Sequence, residues 1–131
     1  VLLPGGEELL RGLKEHGVKT AIVSTKRGDT IQLILERLGL ADTVKLVVGS
    51  GDVKRPKPDP EGLLFVLDRL GVRPGDALFC GDTILDAGAA QNAGTRFAAV
   101  LGGTTPAEAF DRFSPDHISP DLWDLIRWLE L

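Results

Sequence analysis

Short apolar runs alternate with helically spaced apolar positions along the whole chain. After a short apolar opening at residues 1–3, Leu9, Leu10 and Leu13 fall on one side of a helix that starts beyond Pro4-Gly5-Gly6; Gly17 stops it and His16 sits in its last turn. Residues 19–24 (KTAIVS) form a brief apolar run ending in hydroxyls, the pattern of a buried strand. Ile31, Ile34, Leu35 and Leu38 then recur at i, i+3, i+4 and i+7, with Asp29 and Gln32 as a capping pair ahead and Gly39 as the stop. Residues 45–48 (KLVV) predict a further strand, and Gly49-Ser50-Gly51 a turn. Leu63, Val66, Leu67 and Leu70 predict a helix capped by Asp59, begun by Pro60 and closed by Gly71.

Beyond a turn at residues 73–76 come a strand at 77–80, a small-residue helix over 84–93 with Asn92-Ala93-Gly94 as its exit, and a strand at 97–100. A glycine-containing loop follows at 101–105, where Thr105 and Glu108 make a capping box for a short helix through Phe110. Residues 116–118 predict a last edge strand. Ser119 then caps a terminal helix with Pro120 at its first position, Leu122, Leu125, Ile126 and Leu129 on its apolar face, and Trp123 and Trp128 docking it. Strands alternating with helices at this spacing predict parallel strands joined by crossover helices, a doubly wound, Rossmann-like α/β core of three layers.

Composition narrows the picture. The 131 residues fit one domain by length, and 43% hydrophobic with 26% charged residues is the profile of an ordinary globular chain. A formal charge of −4, with no compensating basic cluster, argues against a nucleic-acid partner. No apolar run reaches the roughly 20 residues of a membrane span. The lone Cys80 excludes an internal disulfide and reads as a small buried hydrophobe, so the expected setting is the cytoplasm. His16 and His117 read as a helix end and a surface edge, neither as base nor as ligand.

Candidate chemistry gathers at the strand ends. Gly81-Asp82-Thr83-Ile84-Leu85-Asp86 follows the apolar run 77–80 and sets two carboxylates four residues apart at the mouth of a strand-to-helix turn, where ligands bind in open parallel sheets. Two such acids call for a hydrogen bond or a cation, and Mg2+ is the economical choice because it takes carboxylate oxygens and keeps places for water and phosphate. As helix-opening acids answering the dipole, the same residues have a plainer role. The stiff segment Lys54-Arg55-Pro56-Lys57-Pro58-Asp59-Pro60 holds its cations in place, since its three prolines cannot sit in a helix interior or central strand. Ser24 and Thr25 add hydroxyls. Donor, fixed ammonium and metal-binding acids together form the inventory that phosphate requires.

Three segments carry a family resemblance: Ala21-Ile22-Val23-Ser24-Thr25-Lys26, Lys57-Pro58-Asp59-Pro60 and Gly81-Asp82-Thr83-Ile84-Leu85-Asp86. In that order and at those separations they resemble the second, third and fourth motifs of the haloacid dehalogenase superfamily, most closely its phosphoglycolate phosphatase and pyrophosphatase branch. The resemblance runs from Pro4 to the terminal helix. It implies a Mg2+-dependent phosphohydrolase of a small phosphorylated metabolite, acting through an aspartyl-phosphate. By the same resemblance Ser24, with Thr25 beside it, binds the phosphoryl group. Lys57 neutralises that group and orients the nucleophile, with Lys54 and Arg55 as nearby competitors for the role. Asp82 is a catalytic metal ligand, and Asp86 supports the metal directly or through water.

One departure is large. The family's first motif, Asp-x-Asp on an N-terminal central strand, has no counterpart here, since no two aspartates lie two positions apart. The helical cap that relatives carry between the first and second motifs is also without a counterpart. The expectation is therefore a single core domain over residues 1–131 that forms the C-terminal part of a longer phosphatase, lacking its first central strand, with unpaired strand edges prone to self-association. The competing expectation is a truncated or degenerate module that binds phosphate or Mg2+ and turns nothing over.

Overall fold

A computed structural model describes residues 3–131, so most of the apolar opening at residues 1–3 lies outside the described residues. In chain order the elements are α1 (Gly6–Glu15), β1 (Ala21–Val23), α2 (Gly28–Arg37), β2 (Leu46–Val48), α3 (Glu61–Leu70), β3 (Leu78–Gly81), α4 (Ile84–Ala93), β4 (Arg96–Val100), β5 (His117–Ser119) and α5 (Leu122–Trp128). Short 3-10 turns fill the links at Ala41–Thr43, Ser50–Asp52, Pro74–Asp76 and Ala107–Phe113. Every ladder is parallel, as the alternation of strand and helix requires.

The packing separates into two units. The first comprises the chain through Lys54 together with Leu122–Leu131. Its sheet pairs β1 with β2, Ile22 opposite Val47, and α2 makes the crossover. Leu10, Leu35 and Leu40 form its buried centre, with Ile22, Ile31, Val44 and Val47 packed against them. Leu125 of α5 is fully buried, and α5 packs on α1, where Gly5 lies against Leu122 and the Trp123 ring. Two loops of this unit meet backbone to backbone: a Cβ on Gly49 would stand 2.1 Å from the Gly28 nitrogen, so only glycine fits.

The second unit, Arg55–Asp121, holds a three-stranded sheet in the order β3-β4-β5. Its middle strand β4 is buried from Phe97 to Val100, whereas β3, with a partner on one side, is half-buried throughout. Leu63, Val66 and Leu67 of α3 and the alanines 87, 89, 90 and 93 of α4 are buried here, as are Phe97 and Phe110, whose rings meet at 6.0 Å. The small side chains of α4 let helix and sheet approach closely: α4 contacts α3, β3, β4 and the 3-10 turn at Ala107–Phe113.

Three expected caps are not formed. Because the chain already turns helical at Gly28, Asp29 lies in the first turn of α2, where its carboxylate accepts from the Thr30 N–H at 2.8 Å and pairs with Arg27. Thr105 gives way to Pro106 as the residue before a 3-10 turn with no side-chain cap. Ser119 belongs to β5: its carbonyl accepts from the Leu101 N–H at 2.8 Å, its hydroxyl is buried without a hydrogen bond, and α5 starts only at Leu122. The helices begin elsewhere than these side chains: α2 starts at Gly28, the 3-10 turn follows Pro106, and Ser119 is the last residue of β5. Asp59 lies one residue outside the cap position, which Pro60 takes, and its carboxylate accepts from the Glu61 N–H at 2.9 Å.

Candidate functional site

The strand-to-helix turn after β3 is built around one carboxylate. Thr83 is the N-cap of α4, its hydroxyl oxygen accepting from the Asp86 N–H at 3.2 Å. Asp86 Oδ2 answers by accepting from the N–H groups of Asp82 and Thr83, each at 3.2 Å, and from the Thr83 hydroxyl at 3.0 Å. This reciprocal bonding is a capping box, and it spends Oδ2 on the turn. The other oxygen, Oδ1, accepts from Lys57 Nζ at 2.5 Å. Both side chains are nearly enclosed, Lys57 12% and Asp86 8% exposed, so this pair is far less screened than the surface pairs of the chain. Gly81 makes the close approach possible: a Cβ there would lie 2.5 Å from the Asp86 Cβ, Cγ and Oδ2.

Lys57 is brought to Asp86 by a fixed loop. The Lys57–Pro58 peptide is cis. The Pro58 carbonyl accepts from Asn92 Nδ2 at 2.9 Å, and the Pro58 ring sits over Gly88, where a Cβ would meet it at 2.9 Å. The ammonium also stands 5.4 Å from the centroid of the Phe79 ring, an attractive placement for a cation. Lys54 and Arg55 are exposed.

Asp82 has a different environment. Its carboxylate is half-buried and has no hydrogen bond or ion pair among the described residues, and it lies against Gly103 of the 101–105 loop. An uncommitted hard oxygen at the mouth of a strand-helix turn fits a hard cation such as Mg2+, which binds through one or two carboxylates and completes its shell with water and phosphate. Among the described residues no group of three or more His, Cys, Asp or Glu converges on one point, so this chain offers part of a ligand set rather than a closed cage.

The predicted residues thus divide between the units: Lys57, Asp82 and Asp86 meet in the second, whereas Ser24 and Thr25 follow β1 in the first. Ser24 N–H continues the ladder to the Val48 carbonyl at 2.9 Å. Its hydroxyl oxygen accepts from the Lys26 N–H at 3.1 Å, which leaves the hydroxyl proton available to an acceptor, and Thr25 is exposed beside it. The first unit also carries an open cavity of about 900 Å3, lined by Arg27, Gln32, Lys45 and Asp52 among others, and none of the predicted site residues lines it. Cys80, immediately before the turn, is desolvated enough that its thiol is pushed up to about 12.

The pattern of motifs and the fold agree with what is found among known proteins. A haloacid dehalogenase-like hydrolase family model matches residues 1–100. The chain belongs to the haloacid dehalogenase-like hydrolases. It is 38% identical over 119 residues to the pyrophosphatase PpaX of Bacillus velezensis, covering 91% of this chain and 55% of that protein. It is 33% identical over 123 residues to phosphoglycolate phosphatase 1 of Pseudomonas aeruginosa, covering 94% of this chain and 45% of that protein. A solved haloacid dehalogenase-like hydrolase from Bacteroides fragilis superposes with a TM-score of 0.92 at 38% identity, over 96% of this chain and 60% of that one. The chain spans about half the length of the curated relatives it matches.

Within this member of the family, the supports of the Lys57 loop are what sequence reasoning missed. Gly88 and Asn92 are four residues apart and therefore share one face of α4, a signal present in the sequence but silent about its target. For Gly103 the sequence carried no signal beyond a loop glycine.

Two predictions follow from this geometry. Asp86→Ala removes the carboxylate that faces the Lys57 ammonium in an enclosed site and costs about 3–5 kcal/mol; in urea unfolding the double variant Lys57→Met/Asp86→Ala loses clearly less than the sum of the single losses, and strict additivity contradicts the pairing. Cys80 resists alkylation by iodoacetamide in the native protein at pH 8 and reacts once unfolded. Because folding raises its pKa, its contribution to stability is intact below the unfolded thiol value of about 8.5 and is lost as pH rises toward about 12.

Proposed function

We propose that this chain is the later part of a Mg2+-dependent phosphohydrolase acting on a small phosphorylated metabolite. The observation that carries the reading is the contrast between two acids of one turn: Asp86 is bonded by Lys57 and the turn, whereas the Asp82 carboxylate has no partner among the described residues. Lys57, held by Asp86 and its loop, presents a fixed positive charge to phosphoryl oxygens and needs little reorganisation when charge develops on them. Asp82 is the residue that holds Mg2+, and Asp86 serves it at second hand by fixing the turn. When bound, the ion neutralises phosphate charge and orients the transferring group. Ser24, with its free hydroxyl proton, and Thr25 are assigned to phosphoryl oxygens by their motif.

The attacking aspartate of an aspartyl-phosphate route lies outside this chain, which contains no Asp-x-Asp. Relatives named pyrophosphatase and phosphoglycolate phosphatase support a small phosphorylated substrate. We place the protein in the cytoplasm, on its one cysteine, which is a free thiol.

A second reading, a module that binds phosphate or Mg2+ without turnover, is favoured for the isolated chain by the absent Asp-x-Asp. One assay separates the two. The parent protein, translated from upstream of Val1, releases phosphate from phosphoglycolate or pyrophosphate with Mg2+, and Asp82→Asn lowers kcat/KM by roughly 100-fold or more. The isolated chain releases none. Undiminished turnover in Asp82→Asn removes the metal assignment, and steady turnover by the isolated chain removes the need for an outside nucleophile.

A further inference from the structure

We propose that Gly103 is a positioning residue: by lacking a side chain it reserves the place that the Asp82 carboxylate occupies, and so sets the strength of the metal corner. This rests on the assignment of Asp82 to the metal. The observation is steric. A Cβ on Gly103 would stand 2.9 Å from Asp82 Oδ2 and 3.5 Å from its Cγ, with Asp82 Cβ at 3.9 Å, and these three atoms are the nearest it would meet. All three belong to the end of one side chain, not to backbone. An added methyl group therefore displaces the carboxylate by a χ1 or χ2 rotation and leaves the fold in place.

Gly103 is not a forced glycine. Its φ lies outside the left-handed region, unlike Gly71 at 66° and Gly94 at 83°, so alanine is compatible with its backbone. What alanine changes is the room available to Asp82. The loop that carries it is tied at its start, the Leu101 N–H donating to the Ser119 carbonyl at 2.8 Å, so retreat of the loop is opposed close to the contact.

Among the described residues Asp82 also has no hydrogen-bond partner to hold its carboxylate against such a push, in contrast to Asp86 with its four donors. The two acids of the turn are thus seated by opposite means. Asp86 is held by attraction over the cleared space of Gly81, and Asp82 is confined by shape against Gly103. Metal affinity depends on ligand orientation set from outside the ligand itself, and displaced supports weaken it by about 10–100-fold.

The test uses Mn2+ as a paramagnetic probe, titrated into the 15N-labelled chain and read by amide line broadening. In the wild-type chain the amides of Asp82 and Gly103 broaden together at the lowest Mn2+ concentrations. Gly103→Ala shifts the titration midpoint upward by roughly tenfold, with a thermal unfolding midpoint close to wild type. Gly75→Ala, at a glycine with open space around it, leaves the titration unchanged. Equal Mn2+ affinity in wild type and Gly103→Ala overturns the proposal, as does a sharp Gly103 amide beside a broadened Asp82 in the wild type, which needs no variant. Unaltered binding in Asp82→Asn overturns the metal assignment instead, before Gly103 is reached.

Discussion

The site depends on a single enclosed ion pair. Lys57 and Asp86 are 29 positions apart in sequence and each nearly removed from water, so neither tolerates loss of the other. The pair ties a proline-stiffened loop to the first turn of α4, and the same carboxylate closes the turn that presents Asp82. One interaction therefore fixes both the cation and the geometry of the neighbouring acid. Of the two carboxylates at this strand end, the first is neutralised by lysine, and the second has no partner among the described residues.

Room for these charges is made by glycines and small residues. Gly81 clears space under Asp86, Gly88 lets Pro58 settle on α4, and Gly103 borders Asp82. Alanines along α4 bring that helix close to its sheet, so the loop after β3 and the loop before α3 share one rigid support. Catalytic constellations need such fixed supports because small misplacements of charged groups are costly in rate.

Much of this was legible in the sequence, and the rest was not for physical reasons. The helix over 84–93 falls where its small residues and glycine exit place it, and the parallel α/β architecture follows from the spacing of apolar runs. The caps at Asp29, Thr105 and Ser119 misled because a local capping pattern does not fix where a helix begins: α2 starts one residue before Asp29, the 3-10 turn follows Pro106, and Ser119 ends a strand. The different surroundings of Asp82 and Asp86 are invisible in their spacing, since Asp86 is bonded by a lysine from a distant loop. In the sequence Gly88 reads as one small residue of a helix and Asn92 as part of its exit, and their partner Pro58 comes from outside the helix.

Membership of the haloacid dehalogenase-like hydrolases gives the enclosed pair its context, and the chain spans about half the length of the curated relatives it matches. The central claim is that Asp86 belongs to the lysine and Asp82 to the metal. The 15N spectrum of the lysine ammonium groups tests it directly, because an enclosed, ion-paired ammonium exchanges slowly enough to be seen while exposed ones do not. The account predicts a Lys57 signal in the wild-type chain that persists in Asp82→Asn and vanishes in Asp86→Asn. A signal that survives Asp86→Asn, or one lost equally in both variants, would contradict it.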